Sequence, residues 1–361
     1  MQELSFASED DVWAGLVARL GGTQALERSA REHGALLRRR GVKSAEDLLR
    51  LVLAYGPGGR SLRTTAAEAA ARGMSDISDV AWMNRFAGCG AWLMALVEGL
   101  LRAAGADPDG ATSRPVRLVD GSRIEGPGDS AWRLHLCWDA TSRRIADLAV
   151  TPLSQGERLD RLPLRPGEIR LADAGLPEAC ALRRTREAGA EVLVRLTWNS
   201  LRLLDAEGRP LDWLELTRRS HAEGGLDMAV QVVKPRGRFE PLPMRLVIRP
   251  KPPQALERAR KRARRAASKE QRKADPRTLA CAEHLILITS LGPQAFPPER
   301  LCELYRVRWQ IELAFKRLKS ILRLDRLPAK TSGLAQTWIA AHLLLALLIE
   351  DAAADLAEVS P

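Results

Sequence analysis

Cysteine is sparse and scattered. Cys89, Cys137, Cys180, Cys281 and Cys302 are the five in 361 residues, and no two form a CxxC pair. That spacing suggests neither a zinc site nor a disulfide framework, and it fits a reducing compartment. A secretory leader is not apparent either, because the opening MQELSFASEDDVW is acidic and has no apolar centre. Long apolar runs are also missing. The longest, Trp338 to Ile349, is interrupted by His342 and reads as too short to span a bilayer. These absences lead us to expect a soluble intracellular protein. What the chain does have is enough length for a substantial core and two or more domains, with an ordinary 45% of apolar residues. It also carries a net charge of +11, which favours a polyanionic partner.

The first hundred or so residues read as helices. Apolar positions recur at helical spacing in DVWAGLVARLGG, SAEDLLRLVLAYG and DVAWMNRFAGCGAWLMALVEGLLRAAG. Ser44, with Glu46 and Asp47 after it, has the pattern of an N-cap and an acidic first turn. Arg38, Arg39, Arg40 and Lys43 add positive charge, so this region is either a DNA-docking domain or a bundle with a solvated basic edge. GADPDGATSRP (105–115) is a linker by composition. Strands follow in VRLVDGS, WRLHLCWD and RRIADLAVT, with a turn at Gly126-Pro127-Gly128; then comes EIRLADAGL and a helical stretch from Pro177 to Gly189. Strands ending in Asp with helices after them indicate an α/β core. The strand signal returns in VLVRLTWN, MAVQVV and PMRLVIRP, and LACAEHLILITSL is a further strand candidate. Between them lies ALERARKRARRAASKEQRK (255–273), with nine Lys and Arg against two Glu. Such a segment is either a solvated face or a track for phosphates.

The chemistry centres on YRVRWQIELAFKRLKS, which Pro297-Pro298-Glu299 introduces as a helix. Tyr305, Arg308, Glu312, Lys316 and Lys319 are spaced to line one helical face, one acid among three bases and a phenol. Leu304, Val307, Ile311, Leu318 and Leu322 form an apolar stripe beside it, suited to burial. Asp120 closes VRLVD and Asp173 closes IRLAD, each with a glycine soon after. Either aspartate alone reads as a turn former or helix cap. With Glu312 they make a set of three carboxylates able to hold a pair of divalent cations. Such ions, about 3.5–4 Å apart, support in-line displacement at phosphorus. Three acids so close would repel one another without a cation.

VDGS, ADAG and YRVRWQIELAFKRLK, in that order, resemble the DDE transposases of the insertion-sequence-four family. The third block matches the family signature Tyr-x2-Arg-x3-Glu-x6-Lys at Tyr305, Arg308, Glu312 and Lys319. The resemblance implies an α/β fold with a ribonuclease-H-like catalytic core interrupted by a β-rich insertion and preceded by a helical domain. It implies a DNA-binding helical domain at 1–112 and the core's first part at 113–190. A β-rich insertion with a basic helix follows at 191–278, the core's second part at 279–330, and at 331–361 a C-terminal helix that ends sooner than in many family members. Asp120, Asp173 and Glu312 would be the catalytic, metal-binding triad, with two Mg2+ or Mn2+ ions. Tyr305, Arg308, Lys316 and Lys319 would contact DNA. The implied partners are double-stranded DNA (terminal inverted repeats and target) and a second copy in a synaptic homodimer, in a bacterial cytoplasm. The implied reaction is nicking, hairpin formation and strand transfer. The chain departs from the family pattern at Ala174 and Leu176, where Arg and Tyr are usual. The last strand of the insertion offers only His284 in place of a base-stacking tryptophan, and Trp198 reads as core, so no stacking residue is assigned. A catalytically idle DNA-binding derivative and a general ribonuclease-H-like nuclease are the competing readings.

Overall fold

The computed structural model describes residues 8–39, 41–105, 114–127, 131–234, 239–269, 271, 273–325 and 327–359. The opening residues 1–7, Arg40, residues 106–113 of the linker, Gly128, Glu270, Arg272 and Pro361, on which some expectations fell, lie outside them.

Six helices come first: α1 (Glu9–Arg19), α2 (Gly22–Glu32), α3 (Ala45–Tyr55), α4 (Leu62–Ala71), α5 (Asp79–Ala87) and α6 (Gly90–Gly105). Four start on serine. The side-chain oxygens of Ser8, Ser44, Ser61 and Ser78 each accept an N–H from three residues on. This satisfies a donor that the first turn leaves unpaired.

The chain then gives β1 (Val116–Ile124), β2 (Trp132–Asp139), β3 (Arg144–Pro152), β4 (Ile169–Ala172), α7 (Ala179–Glu187), β5 (Glu191–Arg195), β6 (Arg202–Leu204), α8 (Trp213–Glu223), β7 (Leu226–Val233), β8 (Leu242–Pro250), α9 (Pro253–Lys269), α10 (Pro276–Ala282) and β9 (His284–Thr289). All nine strands join one mixed sheet in the order β3-β2-β1-β4-β5-β9-β8-β7-β6. At its centre β1, β4 and β5 run parallel, and β9 pairs antiparallel with β5. These strands are apolar on both faces because both faces are covered. Leu118, Leu171, Leu193 and Leu287 face one core, shared with the N-terminal helices; Val119, Ala172, Val194 and Ile288 face a second core with Leu182, Trp213 and Cys281.

Three elements were not expected from the sequence: β6, α8 and α10. LACAEHLILITSL, read as a strand, divides instead. Asp275 caps α10 by accepting the Arg277 N–H, Pro276 sits at its start, and the strand begins only at His284. Trp198 is partly buried, donates to the Thr278 hydroxyl at 2.9 Å, and lies under the Arg277 guanidinium.

The signature helix is also not one helix. α11 (Pro298–Arg306) ends in a turn at Val307 and Arg308, α12 (Trp309–Lys316) follows, and a wider π-helical turn runs over Arg317–Ile321. Across the break the backbone tightens: the N–H groups of Arg308, Gln310 and Ile311 bond to carbonyls three residues back, not four. The apolar stripe is nonetheless inward, with Ile311 and Leu318 buried and Leu304, Val307 and Leu322 packed against them.

The last helix, α13 (Ser332–Val359), extends well beyond the Trp338–Ile349 run. Its stretch Ser332–Asp355 is long and apolar enough to cross a membrane by length and composition, contrary to the expectation, and 72% of the apolar stretch is buried inside the protein. It packs on α3, α5 and α6, where Thr337 donates to the Phe86 carbonyl and His342 is fully enclosed.

Candidate active site

The register of the central strands positions the two aspartates. Val119 pairs with Ala172 across the parallel β1–β4 ladder, so the next residues, Asp120 and Asp173, stand side by side. Asp173 lies just past the end of β4, but Asp120, expected to close its strand, sits midway along β1, which continues beside β2 as far as Ile124. Neighbouring strands lie about 4.8 Å apart. Val119 and Ala172 point into the second core, so by alternation both aspartates point to the opposite face, the one α11 and α12 cover. Each carboxylate is fixed the same way. Asp120 Oδ1 accepts the Gly121 N–H and Asp173 Oδ1 accepts the Ala174 N–H, both at 2.8 Å.

The signature residues meet these acids from above. The Tyr305 hydroxyl donates to Asp173 Oδ1 at 3.2 Å. Burial, with Asp173 beside it, raises the Tyr305 pKa, so the phenol keeps its proton and remains a donor. Arg308 Nη2 lies 3.8 Å from Asp173 Oδ2 and donates to Glu312 Oε1. The turn between α11 and α12 is what aims this guanidinium at both acids. Glu312 is the outermost of the three, with 58% of its side chain exposed. Lys316 is exposed, and Lys319 donates to the Arg123 carbonyl at 2.7 Å, beside the end of β1.

Three neighbours were not singled out from the sequence. Arg195 closes β5 and stands 3.6 Å from Asp173 Oδ1. The rule that sites gather at strand C-termini would have found it. Glu157, in the loop after β3, runs across Gly121. Nothing local in sequence announces that contact. Trp309, more than half exposed, stands directly after Arg308.

The electrostatics show strain between carboxylates. Burial pushes the Asp120 pKa up to about 6; Glu157 and Asp173 push the same way, while the Gly121 N–H and Arg308 oppose them. Among the described residues no three Asp, Glu, His or Cys side chains stand close enough together, as they are, to hold a metal ion. Glu312 is engaged by Arg308, which fills the role of counter-charge. The donor set still fits a hard divalent cation. It is all oxygen, it is short of positive charge at Asp120, and its third carboxylate is held only by an exposed ion pair.

A family model described as "Transposase DDE domain" matches residues 111–349. The chain is 38% identical over 346 residues to the InsL protein of insertion sequence element IS186A of Escherichia coli K12, covering 94% of each chain. It is also 38% identical, over 347 residues and 94% of each chain, to the transposase of insertion sequence element IS421 of Escherichia coli. Domains of this kind generally use divalent metal ions. The chain belongs to the DDE transposases, enzymes that cleave DNA and transfer its strands.

Proposed function

We propose that this protein is an insertion-sequence-four-type transposase whose catalytic triad is Asp120, Asp173 and Glu312. The observation that carries the reading is the convergence of Tyr305 and Arg308 on Asp173, with Arg308 also gripping Glu312. These contacts support reading the signature residues and the acids of β1 and β4 as one site. In this reading the core is ribonuclease-H-like, and residues 191–278 are its insertion. Residues 1–112 dock DNA, and α13 belongs to the C-terminal region. The substrate is the element's terminal inverted repeats and a target duplex, handled in the cytoplasm by a synaptic homodimer.

The three carboxylates would hold two Mg2+ or Mn2+ ions. When bound, such ions supply an activated oxygen nucleophile and stabilise the leaving oxygen. The protein's own residues do the rest. The Tyr305 hydroxyl and the Ala174 N–H hold Asp173 in one rotamer. Arg308 keeps Glu312 engaged until DNA enters, then turns its fork to a phosphate, which it can grip bidentately. Lys316 and Lys319 act as point charges along the strand beyond. Cut-and-paste movement through hairpin ends is part of the proposal.

The test is a nicking assay in Mg2+ on duplexes bearing the element's terminal repeats or scrambled ends. Nicks confined to the repeat boundary are expected. Nicking without preference for the repeat would favour a general nuclease, and specific binding without nicking an idle derivative.

A further inference from the structure

We propose that Glu157 is a fourth carboxylate of the divalent-cation site, reaching it from the loop after β3. The inference rests on the reading of Asp120 and Asp173 as cation ligands. Its carrier is steric. A Cβ at Gly121 would come within 2.6 Å of Glu157 Cγ and 2.8 Å of its Cδ and Oε1, so Glu157 can lie where it does only because residue 121 is glycine. A Cβ at Gly175 would meet one atom within 4 Å, Glu157 Oε2 at 3.9 Å. The carboxylate thus lies against the glycines that follow both aspartates, in VDGS and in ADAG.

The company it keeps sets it apart from the other acids of its loop. Asp160 is bonded by Arg158 at 3.0 and 2.9 Å and by Arg184 as well. Glu168 is bonded by the buried Arg170 at 2.6 Å. Those acids are structural, each matched by a guanidinium in hydrogen-bond contact. Glu157 accepts no hydrogen bond among the described residues. Its ion-pair partner there is Arg133, whose Nε lies 3.5 Å from Oε1 and itself makes no hydrogen bond. Open oxygen lone pairs, pressed against the backbone of a buried aspartate that repels them, are what a hard divalent cation takes up. Leu159 and Leu162 belong to the second core, and the carbonyls of Leu159, Leu162 and Pro163 all accept from Arg170. The loop is therefore anchored, and the reach of Glu157 is fixed by the fold.

The experiment uses the full chain as wild type, Glu157→Gln and Asp120→Asn. Each is titrated with Mn2+, with free ion followed by electron paramagnetic resonance, and each is melted separately in chelator. Both variants should bind Mn2+ about tenfold more weakly, or worse. Glu157→Gln should melt no lower than wild type without metal, because it removes a repulsion. Wild-type Mn2+ affinity in Glu157→Gln, with affinity lost in Asp120→Asn, overturns this proposal and leaves the aspartate site standing. Wild-type affinity in both overturns the aspartate site and this proposal together. A lower melting temperature with unchanged Mn2+ affinity makes Glu157 only a partner of Arg133, and also overturns it. Should Glu157→Gln fail to fold, Glu157→Asp keeps the charge near Arg133 and withdraws it from the site. A weakened Mn2+ affinity supports the proposal there, and an unchanged one overturns it.

Discussion

Replacing Asp120 with asparagine should make the metal-free protein more stable, although it removes an acid from the proposed catalytic triad. Asn keeps the oxygen that accepts the Gly121 N–H and discards the charge that burial, Glu157 and Asp173 all disfavour. Raising a carboxyl pKa from the ordinary 3.8 to about 6 corresponds, at about 1.4 kcal/mol per tenfold change in proton affinity, to an upper figure of roughly 3 kcal/mol. Screening through the part of Asp120 that solvent reaches brings the expected gain to about 1–3 kcal/mol. The sign follows from which state binds the proton. Between pH 4 and 6 the folded protein holds a proton on Asp120 that the unfolded chain has released, so wild-type stability falls as pH rises through that window. Above about pH 6 the cost is complete; below about pH 4 it is gone. Urea unfolding in chelator at several pH values from 4 to 8.5 measures this directly. Asp120→Asn should match wild type near pH 4 and exceed it at pH 8. An Asn variant no more stable than wild type at pH 8, or a gain independent of pH, would refute the electrostatic argument.

Arg170→Met should cost about 3–5 kcal/mol in urea unfolding, because it leaves the buried Glu168 charge without its hydrogen-bonded guanidinium, facing only Arg117 at 3.9 Å, and takes a donor from three loop carbonyls. A loss below about 1 kcal/mol would mean the network is not structural. Tyr305→Phe deletes the hydrogen bond to Asp173 while leaving the ring in the core, so cleavage should slow by about tenfold with melting nearly unchanged. An unaltered rate would remove Tyr305 from the site. Arg258, Arg262 and Arg265 on α9 line an open groove of about 1300 Å³ with Arg195 and Lys251. Reversing those three charges should weaken DNA binding on any sequence and lower the salt-dependence slope by about one for each phosphate no longer neutralised. An unchanged slope would make the helix a solvated face.

The sequence made some of this visible because local rules and tertiary needs agree there. β4 is apolar up to the residue that leaves the sheet, so Asp173 announces itself as a strand end, whereas Asp120 is legible only as the acid that interrupts the apolar run of β1, a strand that continues past it to Ile124. The Ser44 cap and the buried stripe through Ile311 and Leu318 follow from spacing alone, whereas the caps at Ser8, Ser61 and Ser78 were not read from the sequence. The break at Val307 and Arg308 does not follow from spacing. The spacing of Tyr305, Arg308 and Glu312 is compatible with continuous helix, and nothing in it signals the turn at Val307 and Arg308. α10 was hidden because its alanines and leucine run without interruption into β9, and its start depends on the cap at Asp275. Glu157 was illegible for a different reason. Its contact with Gly121 joins positions more than thirty residues apart, and no periodicity encodes it.

The central claim is that Asp120, Asp173 and Glu312 act as a single metal-dependent site on DNA. Single-turnover cleavage of terminal-repeat DNA in Mg2+ tests it most directly, comparing wild type with Asp120→Asn, Asp173→Asn and Glu312→Gln. Each variant alone should bind the repeat yet cleave it at least about a thousandfold more slowly, since groups acting as a unit are lost together. Wild-type cleavage by any one of the three would contradict the account.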